Sequence, residues 1–311
     1  MGGMSLTKTD PLASFTQDLD LRGLAKTSKD TIIWAVRRYL KWAEAKGIDP
    51  LKGNRSDIVA YLGELRSRKL KKGSLDRNFS CLAVWYDYLE EQGVVQKNPV
   101  KAIQKKYLRQ YKPDRQTRKI ISIEQAANLV QTTIDTRDRA ILLLLFKTGI
   151  RRNELVALDL DDIDLANQSL TLKTTAKRTN RDLYFDHETV AALTRWVRSR
   201  ENRHIKEKDK EALFIGYEGE RLGRQGVTDV VTKAAERVAL HDPNSIKLED
   251  RFTPHCCRHW FTTYLIRSGM PRDFVKELRG DARREAIDIY NHIDKKELRE
   301  SYLAHIPNLG V

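Results

Sequence analysis

Four residues in this chain are of the right type and spacing to act together on a phosphate group. Arg151 comes just after an apolar helix that ends in glycine, where the backbone can turn sharply and hold a side chain inward. His255 and Arg258 follow Thr253-Pro254, a favourable N-cap and first-turn pair, so their spacing places both on one helix face. Such a pair can grip one anion. Tyr290 supplies a hydroxyl further along the chain.

The chemistry of phosphate esters explains why these residue types would be needed. A phosphodiester under attack gathers negative charge on its non-bridging oxygens. Arg151 and Arg258 could hold those oxygens through bidentate hydrogen bonds, because guanidinium groups stay charged at any working pH. Tyrosine has a reference pKa of about 10, so Tyr290 needs a nearby base or a positive field, and His255 could be that base. The residues predict phosphoryl transfer that requires no metal and no cofactor.

Together these residues resemble the signature of the tyrosine recombinase family, which includes phage integrases and Xer-type chromosome-dimer resolvases. That signature is an early arginine, a hairpin lysine, His-x-x-Arg and a late tyrosine, and the order and rough spacing match. The resemblance implies that Lys177, in Ala-Lys-Arg-Thr-Asn-Arg, is the hairpin lysine that protonates the departing 5′ oxygen. It also implies a role for four further residues: Arg151 as the first arginine, His255 and Arg258 as the His-x-x-Arg pair, and Tyr290 as the nucleophile.

Two acidic residues also bear on the resemblance: one matches the family pattern and the other differs from it. Glu154, three residues after Arg151, matches the supporting acid of the family. Asp281, in Leu278-Arg279-Gly280-Asp281, stands where the family usually has the histidine of Leu-Gly-His. An ionised carboxylate cannot donate a hydrogen bond, so we expect Asp281 to orient an active-site cation rather than to contact the phosphate.

Other residues compete for two of these roles. Lys173 lies in the same hairpin as Lys177, but the turn position favours Lys177. Tyr264 falls among apolar residues of the His255 helix, which favours packing, and Tyr302 lies beyond the part of the chain that resembles the family.

Metal-binding interpretations are weaker than the phosphate interpretation. His255 and His259 have the spacing of a zinc pair, yet position 256 is cysteine instead of the glutamate of His-Glu-x-x-His, and no third ligand is indicated. Asp159, Asp161 and Asp162 with Asp164 lack the glycine and distal glutamate of a calcium loop, so they are expected to form a polar approach to the hairpin.

Composition points to a polyanionic partner. Lys and Arg outnumber Asp and Glu by 57 to 43, which gives a net charge of +14 and a pI near 9.6. Nucleic acid is the favoured partner over a basic but unspecialised surface. No apolar stretch approaches the roughly 20 residues of a membrane span, no secretory signal is visible, and three cysteines without disulfide or zinc spacing fit a reducing compartment. These features predict a cytoplasmic protein with no membrane partner.

The 311 residues suggest two domains. Residues 1–104 are expected to be a helical bundle, with Ser56 and Ser74 as helix N-caps and Asn98-Pro99 as its end. The family resemblance implies that this bundle is the core-binding, SAM-like domain. Residues 105–119 are rich in basic side chains and predict an interdomain linker, either a solvated loop or a segment that follows a phosphate backbone.

Residues 120–311 are expected to be a mainly helical catalytic domain with a C-terminal tail and a small antiparallel sheet. Ser122 and Gln125 predict a capping box, and a helix is expected from Thr136 to Gly149. Two strands, 170–174 and 182–185, flank the turn that contains Lys177, and helices follow at 188–199, 227–239, 254–268, 271–279 and 282–292. The apolar spacing of the tail predicts a helix that packs on its own domain, and the family resemblance implies the alternative that it docks on a neighbouring subunit.

The expected protein is therefore a site-specific DNA recombinase, of integrase, excisionase or resolvase type. The family resemblance implies a C-shaped clamp of two domains on double-stranded DNA, four subunits on two DNA sites, and a monomer or weak oligomer when free. It also implies a 3′-phosphotyrosine intermediate formed without metal or ATP. The alternatives are a non-catalytic DNA-binding protein with the recombinase fold, motivated by Asp281, and a type IB topoisomerase.

Overall fold

The computed structural model describes residues 11–109, 120–173, 182–245, 247–280 and 293–311. The chain divides into two compact units, Met1–Arg115 and Gln116–Val311. Helices dominate both units, and the second unit also contains a three-stranded antiparallel sheet. The predicted fold class, mainly α with a small antiparallel sheet, is confirmed.

The N-terminal unit is a helical bundle around an aromatic core. Tyr39 is fully buried, and its ring centroid lies 5.0 Å from that of Tyr61 and 6.1 Å from that of Trp85. The wide apolar face of the second helix lets it pack on more than one neighbouring helix. The helices are α1 (Pro11–Leu21), α2 (Lys26–Ala45), α3 (Arg55–Ser67), α4 (Lys72–Glu91) and α5 (Pro99–Ile103).

Two helix starts in this unit differ from the sequence prediction. Helix α3 begins one residue before Ser56 and α4 begins two residues before Ser74, so both serines lie inside the first turn instead of capping it. A serine within three residues of a helix start looks like a cap in the sequence, because only the backbone angles distinguish the two positions.

Asn98-Pro99 begins a helix instead of ending the bundle. The Asn98 side chain accepts a hydrogen bond from the Val100 N–H at 2.9 Å, and Pro99 occupies the first turn of α5, where a missing N–H costs nothing. A π-helical turn, Gln104–Leu108, continues α5, and Leu108 is buried in the N-terminal core. The helical unit therefore extends past the predicted linker start at residue 105. Residues 110–119 lie outside the described residues.

The second unit, Gln116–Val311, is termed the catalytic unit because the predicted catalytic residues lie in it, and it combines helices with a short sheet. Its helices are α6 (Ile123–Gln131), α7 (Thr136–Thr148), α8 (Arg152–Val156), α9 (His187–Glu201), α10 (Arg224–Arg237), α11 (Pro254–Arg267), α12 (Arg272–Arg279) and α13 (Lys295–His305). Its strands are β1 (Ile163–Asp164), β2 (Ser169–Thr171) and β3 (Asp182–Tyr184), in the order β1-β2-β3 with Leu170 opposite Leu183. Short 3₁₀ turns are formed by Pro50–Lys52 in the N-terminal unit and by Leu160–Asp162 and Glu207–Asp209 here.

Helix α7 is the centre of this unit. Every residue from 140 to 146 is buried, and α7 packs against α9, α10, α11 and β3. The capping box of Ser122 and Gln125 and the predicted α7, which ends at Gly149, are confirmed. The β2–β3 pair is also confirmed, whereas β1 was not predicted because two residues are too short for an alternating pattern.

The tail helix α13 packs on its own unit, which agrees with one of the two predicted alternatives. Leu298 and Tyr302 are buried in the core of the catalytic unit. The predicted helix at 282–292 and the turn that contains Lys177 lie outside the described residues. Among the residues that are described, no helix combines the length and the apolarity of a membrane span.

Candidate active site

Arg151 is positioned by a tight turn at the end of α7. Gly149 adopts the left-handed conformation with φ +59°, and a Cβ at this position would lie 2.4 Å from Cδ1 of Phe261 in α11. Only glycine fits, because any side chain would be both strained and in collision with the ring. Ile150 is buried, so the chain emerges toward solvent at Arg151, just before α8.

Glu154 holds Arg151 through two contacts. One carboxylate oxygen, Oε2, accepts a hydrogen bond from the Arg151 backbone N–H at 2.8 Å, and the other, Oε1, accepts one from Arg151 Nη1 at 3.0 Å. The Glu154 side chain is 8% exposed and the Arg151 side chain is 37% exposed. This buried acid therefore fixes the backbone of the turn and orients a guanidinium that solvent can reach.

Arg258 joins three separate parts of the catalytic unit. It projects from α11, is 6% exposed, and donates from Nη1 to the Gly149 carbonyl and from Nη2 to the Arg279 carbonyl, both at 2.7 Å. Its guanidinium therefore holds the Arg151 turn and the end of α12 together. Residue 281 and the segment that carries Tyr290 follow directly from the end of α12, and this segment lies outside the described residues.

His255 is exposed at the start of α11, on the helix that carries Arg258. Its ring lies edge-on to that of His259, with centroids 4.5 Å apart. In the described part of the chain, no third His, Cys, Asp or Glu completes a metal-binding group with this pair. The structure therefore adds no support to the zinc interpretation.

The two cysteines between His255 and Arg258 are buried packing residues. The Cys256 thiol lies 3.4 Å from the Thr253 N–H at the helix start. Cys257 is fully buried, and burial raises the pKa of its thiol well above the ordinary value. Both stabilise the helix that presents the histidine and the arginine.

The two other candidate tyrosines, Tyr264 and Tyr302, use their hydroxyls to bind backbone carbonyls within the catalytic unit. The Tyr264 hydroxyl donates to the Ile121 carbonyl at 3.1 Å, and the Tyr302 hydroxyl donates to the Lys147 carbonyl at 2.8 Å. Tyr302 is fully buried, and burial, followed by the charges of Asp186 and Glu188, raises its pKa well above the ordinary value. A neutral, buried hydroxyl is a poor nucleophile.

The other candidate lysine, Lys173, already has an acidic partner. Lys173 forms an ion pair with Asp159, whose other carboxylate oxygen is 2.5 Å from Arg221 Nη2. Burial opposes the ionisation of Asp159, but these two cations outweigh it and lower the carboxyl pKa below its usual range. Asp159 thus anchors the base of the hairpin, in agreement with the predicted polar approach. Lys177 and Asp281 lie outside the described residues.

Sequence reasoning missed the backbone groups that hold this site together. The Gly149 and Arg279 carbonyls lie 109 and 21 residues from Arg258, and no local pattern marks a carbonyl as an acceptor. It also missed a buried cluster of Lys147, Asp186 and Glu188. The one feature of the sequence that could have indicated this cluster is Lys147 itself, a lysine at the end of an otherwise apolar run.

Comparisons with known proteins identify the family. The phage integrase family matches residues 115–297, and the N-terminal SAM-like domain of phage integrases matches residues 12–96. Tyrosine recombinase XerC of Herpetosiphon aurantiacus is 29% identical over 246 residues, which cover 77% of this chain and 76% of the relative. XerC of Listeria welshimeri is 28% identical over 260 residues, 81% of each chain.

Solved structures share the fold. An integrase of the Tn1549 transposon in complex with transposon right-end DNA has a TM-score of 0.68 at 16% identity, over 94% of this chain and 98% of that one. A lambda integrase dimer bound to a core site has a TM-score of 0.65 at 17% identity, over 93% and 100% of the two chains. The chain belongs to the phage integrase family and is a site-specific recombinase of the tyrosine type.

Proposed function

We propose that this recombinase binds duplex DNA and cuts and rejoins it through a covalent bond between Tyr290 and a 3′ phosphate. One observation carries the proposal: the buried Arg258 guanidinium bonds both the Arg151 turn and the end of α12, from which the Tyr290 segment follows. A net charge of +14 and relatives of the same fold bound to DNA support duplex DNA as the partner.

The proposed cleavage step divides the chemistry among five residues. The Tyr290 oxygen forms a bond to phosphorus, the bond to the 5′ oxygen breaks, and the tyrosine proton passes to His255. Arg151 and Arg258 neutralise the charge that develops on the non-bridging oxygens. Lys177 protonates the departing 5′ oxygen, so that a free 5′ hydroxyl and a 3′-phosphotyrosine result.

The supporting residues act through these five. Glu154 orients Arg151 by the contacts already described, and Asp281 is proposed to accept a hydrogen bond from His255, Arg258 or a backbone amide. Two fixed guanidinium groups supply the positive charge, and the phosphotyrosine keeps the energy of the broken ester bond. A second 5′ hydroxyl can then reverse the step, so neither a metal ion nor ATP is required.

The proposed assembly is a tetramer on two DNA sites that acts in the cytoplasm, with a monomer or weak oligomer in the free state. In it, the N-terminal domain and the catalytic domain clamp the DNA from two sides, and the basic linker joins them. Because the linker and both domains neutralise phosphates, the logarithm of affinity should fall by about 0.9 per contacted phosphate for each log unit of salt. A slope near zero would contradict the clamp.

Two assays test the function. The chain is incubated with the replicon or mobile element that encodes it, and the DNA junctions are sequenced to find the site. A nicked suicide duplex that carries this site should then trap the protein on DNA, also in the presence of EDTA. Exchange between two marked duplexes separates recombination from the activity of a topoisomerase, and a protein that binds without forming a covalent complex would contradict the proposal.

A further inference from the structure

The C-terminal end of the catalytic unit is anchored on a buried lysine that the proposed chemistry does not use. Lys147 is 0% exposed, and its Nζ lies 2.5 Å from both Asp186 Oδ2 and Glu188 Oε2. It also donates to the Pro307 carbonyl at 2.6 Å. A buried ammonium group is costly unless its protons have acceptors, and here three acceptors surround it. Pro307 therefore contributes to a buried charge cluster.

Glu188 binds the same stretch of chain, residues 306–311, which we term the C-terminal strap. Its Oε2 accepts a hydrogen bond from the Leu309 N–H and its Oε1 accepts one from the Val311 N–H, both at 3.0 Å. Burial disfavours the charged form of Glu188, but the Leu309 N–H and Lys147 outweigh it and lower the pKa to about 2. The carboxylate therefore stays charged at neutral pH, and the cluster holds the strap by its backbone.

The tail also binds the backbone at the end of α7. The last carbonyls of a helix lack partners within the helix, and the Tyr302 hydroxyl donates to one of them, that of Lys147, at 2.8 Å. Lys147 is thus held at two points. Asp186, Glu188 and the Pro307 carbonyl bind its side chain, and the Tyr302 hydroxyl of α13 binds its carbonyl.

The anchored residue is next to the catalytic turn. Lys147 precedes Gly149 by two residues and Arg151 by four. Arg258 holds the Gly149 carbonyl from the other direction at 2.7 Å. The turn that presents Arg151 therefore lies between contacts from the C-terminal tail and from α11, in addition to the contacts from Glu154.

We propose that Tyr302 and the C-terminal strap are positioning elements for Arg151. Their docking on Lys147 and Glu188 holds the end of α7 so that the guanidinium meets the scissile phosphate. This inference rests on the proposed function. If the strap is displaced, two charged side chains, Lys147 and Glu188, lose partners, the last turn of α7 loosens, and Arg151 loses its fixed direction.

The test displaces the strap and leaves the rest of the tail intact. Leu309→Asp puts a carboxylate into a buried site, since Leu309 is 6% exposed, beside Glu188. Leu303→Asp is the matched control, because Leu303 is 37% exposed on α13. Tyr302→Phe, a second variant, removes only the hydroxyl. Single-turnover cleavage of the suicide duplex should slow by about tenfold or more for Leu309→Asp and by less for Tyr302→Phe. Both variants should keep the DNA affinity of the parent. The control should cleave at the parental rate.

A second substrate separates a positioning role from general damage. When a methyl group replaces one non-bridging oxygen of the scissile phosphate, there is less charge for Arg151 to neutralise, so Arg151→Ala should lose less activity on it. The losses of Leu309→Asp and Tyr302→Phe should shrink in parallel. Equal losses on both substrates, or cleavage at the parental rate, would overturn the inference alone. If the parent and the control also failed to cleave, the proposed function would fall, and the inference with it.

Discussion

The two units of this recombinase bury polar groups in different ways. Among its described residues, the N-terminal unit buries two asparagines, Asn78 and Asn98, and no charged side chain. The catalytic unit buries Arg137, Lys147 and Arg258, each bound to carbonyls or carboxylates of other segments. The first unit is held by aromatic and aliphatic packing, and the second is also held by buried charges that must be satisfied.

The difference parallels the roles proposed for the two units, DNA binding for the first and catalysis for the second. Apolar packing tolerates substitutions of similar volume, whereas removing one partner of a buried ion pair typically costs about 3–5 kcal/mol. The buried bonds of the catalytic unit also span long stretches of chain, 41 residues from Lys147 to Glu188 and 109 from Arg258 to Gly149. They therefore favour a single geometry around Arg151, which the proposed phosphoryl transfer requires.

Among the changes that test the comparison of the two units, the largest effect is expected at Arg258. Arg258→Lys keeps the charge, but an ammonium group cannot donate to the Gly149 and Arg279 carbonyls with the planar geometry of a guanidinium. Single-turnover cleavage should fall by at least about a hundredfold for Arg258→Lys and for Arg258→Ala. Arg267→Lys, an exposed change on the same helix, is the control and should cleave near the parental rate. Parental cleavage by Arg258→Lys would show that the bridge has no catalytic role.

Matched glycine substitutions compare the two units directly. Gly149→Ala forces a side chain into φ +59° and against Phe261, so it should destabilise the protein by about 2–5 kcal/mol and slow cleavage. Gly63→Ala, in α3, meets no atom within 4 Å and should stabilise the N-terminal unit by up to about 1 kcal/mol. Urea unfolding measures both changes. Equal changes in the free energy of unfolding for Gly149→Ala and Gly63→Ala would contradict the proposed difference between the units at these positions.

Acid should act first on the catalytic unit. The pKa of Glu188 is about 2 in the folded protein, below its unfolded value near 4.3, so its charge stabilises the fold above that value. This contribution is lost as the pH falls through the window toward 2. Glu188→Gln should be about 1–3 kcal/mol less stable at neutral pH and should change less with pH in this window. Calorimetry from pH 6 to 2, roughly this window, tests the assignment, and parallel profiles for parent and variant would contradict it.

The smallest effect is expected at Asp281, two residues beyond the Arg279 carbonyl that Arg258 holds. If Asp281 orients an active-site cation, Asp281→Ala should slow cleavage roughly tenfold, the scale of one hydrogen bond to a charged group. Asp281→His restores the donor usual in the family and should retain or raise the rate. Single-turnover cleavage by the three proteins decides the matter, and an alanine variant as fast as the parent would leave Asp281 without a supporting role.

Local patterns in the sequence predicted local structure well. Helix α7 and its end at Gly149, and the capping box of Ser122 and Gln125, depend on contacts within a few residues, and both are confirmed. The sequence also placed His255 and Arg258 together on α11. Their chemistry was predicted from residue types and order along the chain, and it stays a prediction.

Contacts between distant segments escaped prediction. Nothing near Arg258 indicates that it bonds the Gly149 and Arg279 carbonyls, and nothing near Lys147 indicates its acidic partners. The pairing of Lys147 with Glu188 and the strap appears only when α7, α9 and the tail are packed together. Sequence therefore suggests candidate site residues more readily than the contacts that hold them in place.

The covalent attachment of DNA to Tyr290 is the most direct test of the account. The parent protein is trapped on a suicide duplex, digested, and examined by mass spectrometry for the peptide that carries DNA. The account predicts a 3′ phosphate on Tyr290, and for Tyr290→Phe no covalent complex but nearly intact DNA affinity, because only the nucleophilic oxygen is lost. DNA linked to Tyr264 or Tyr302, or an undiminished covalent complex with Tyr290→Phe, would contradict it.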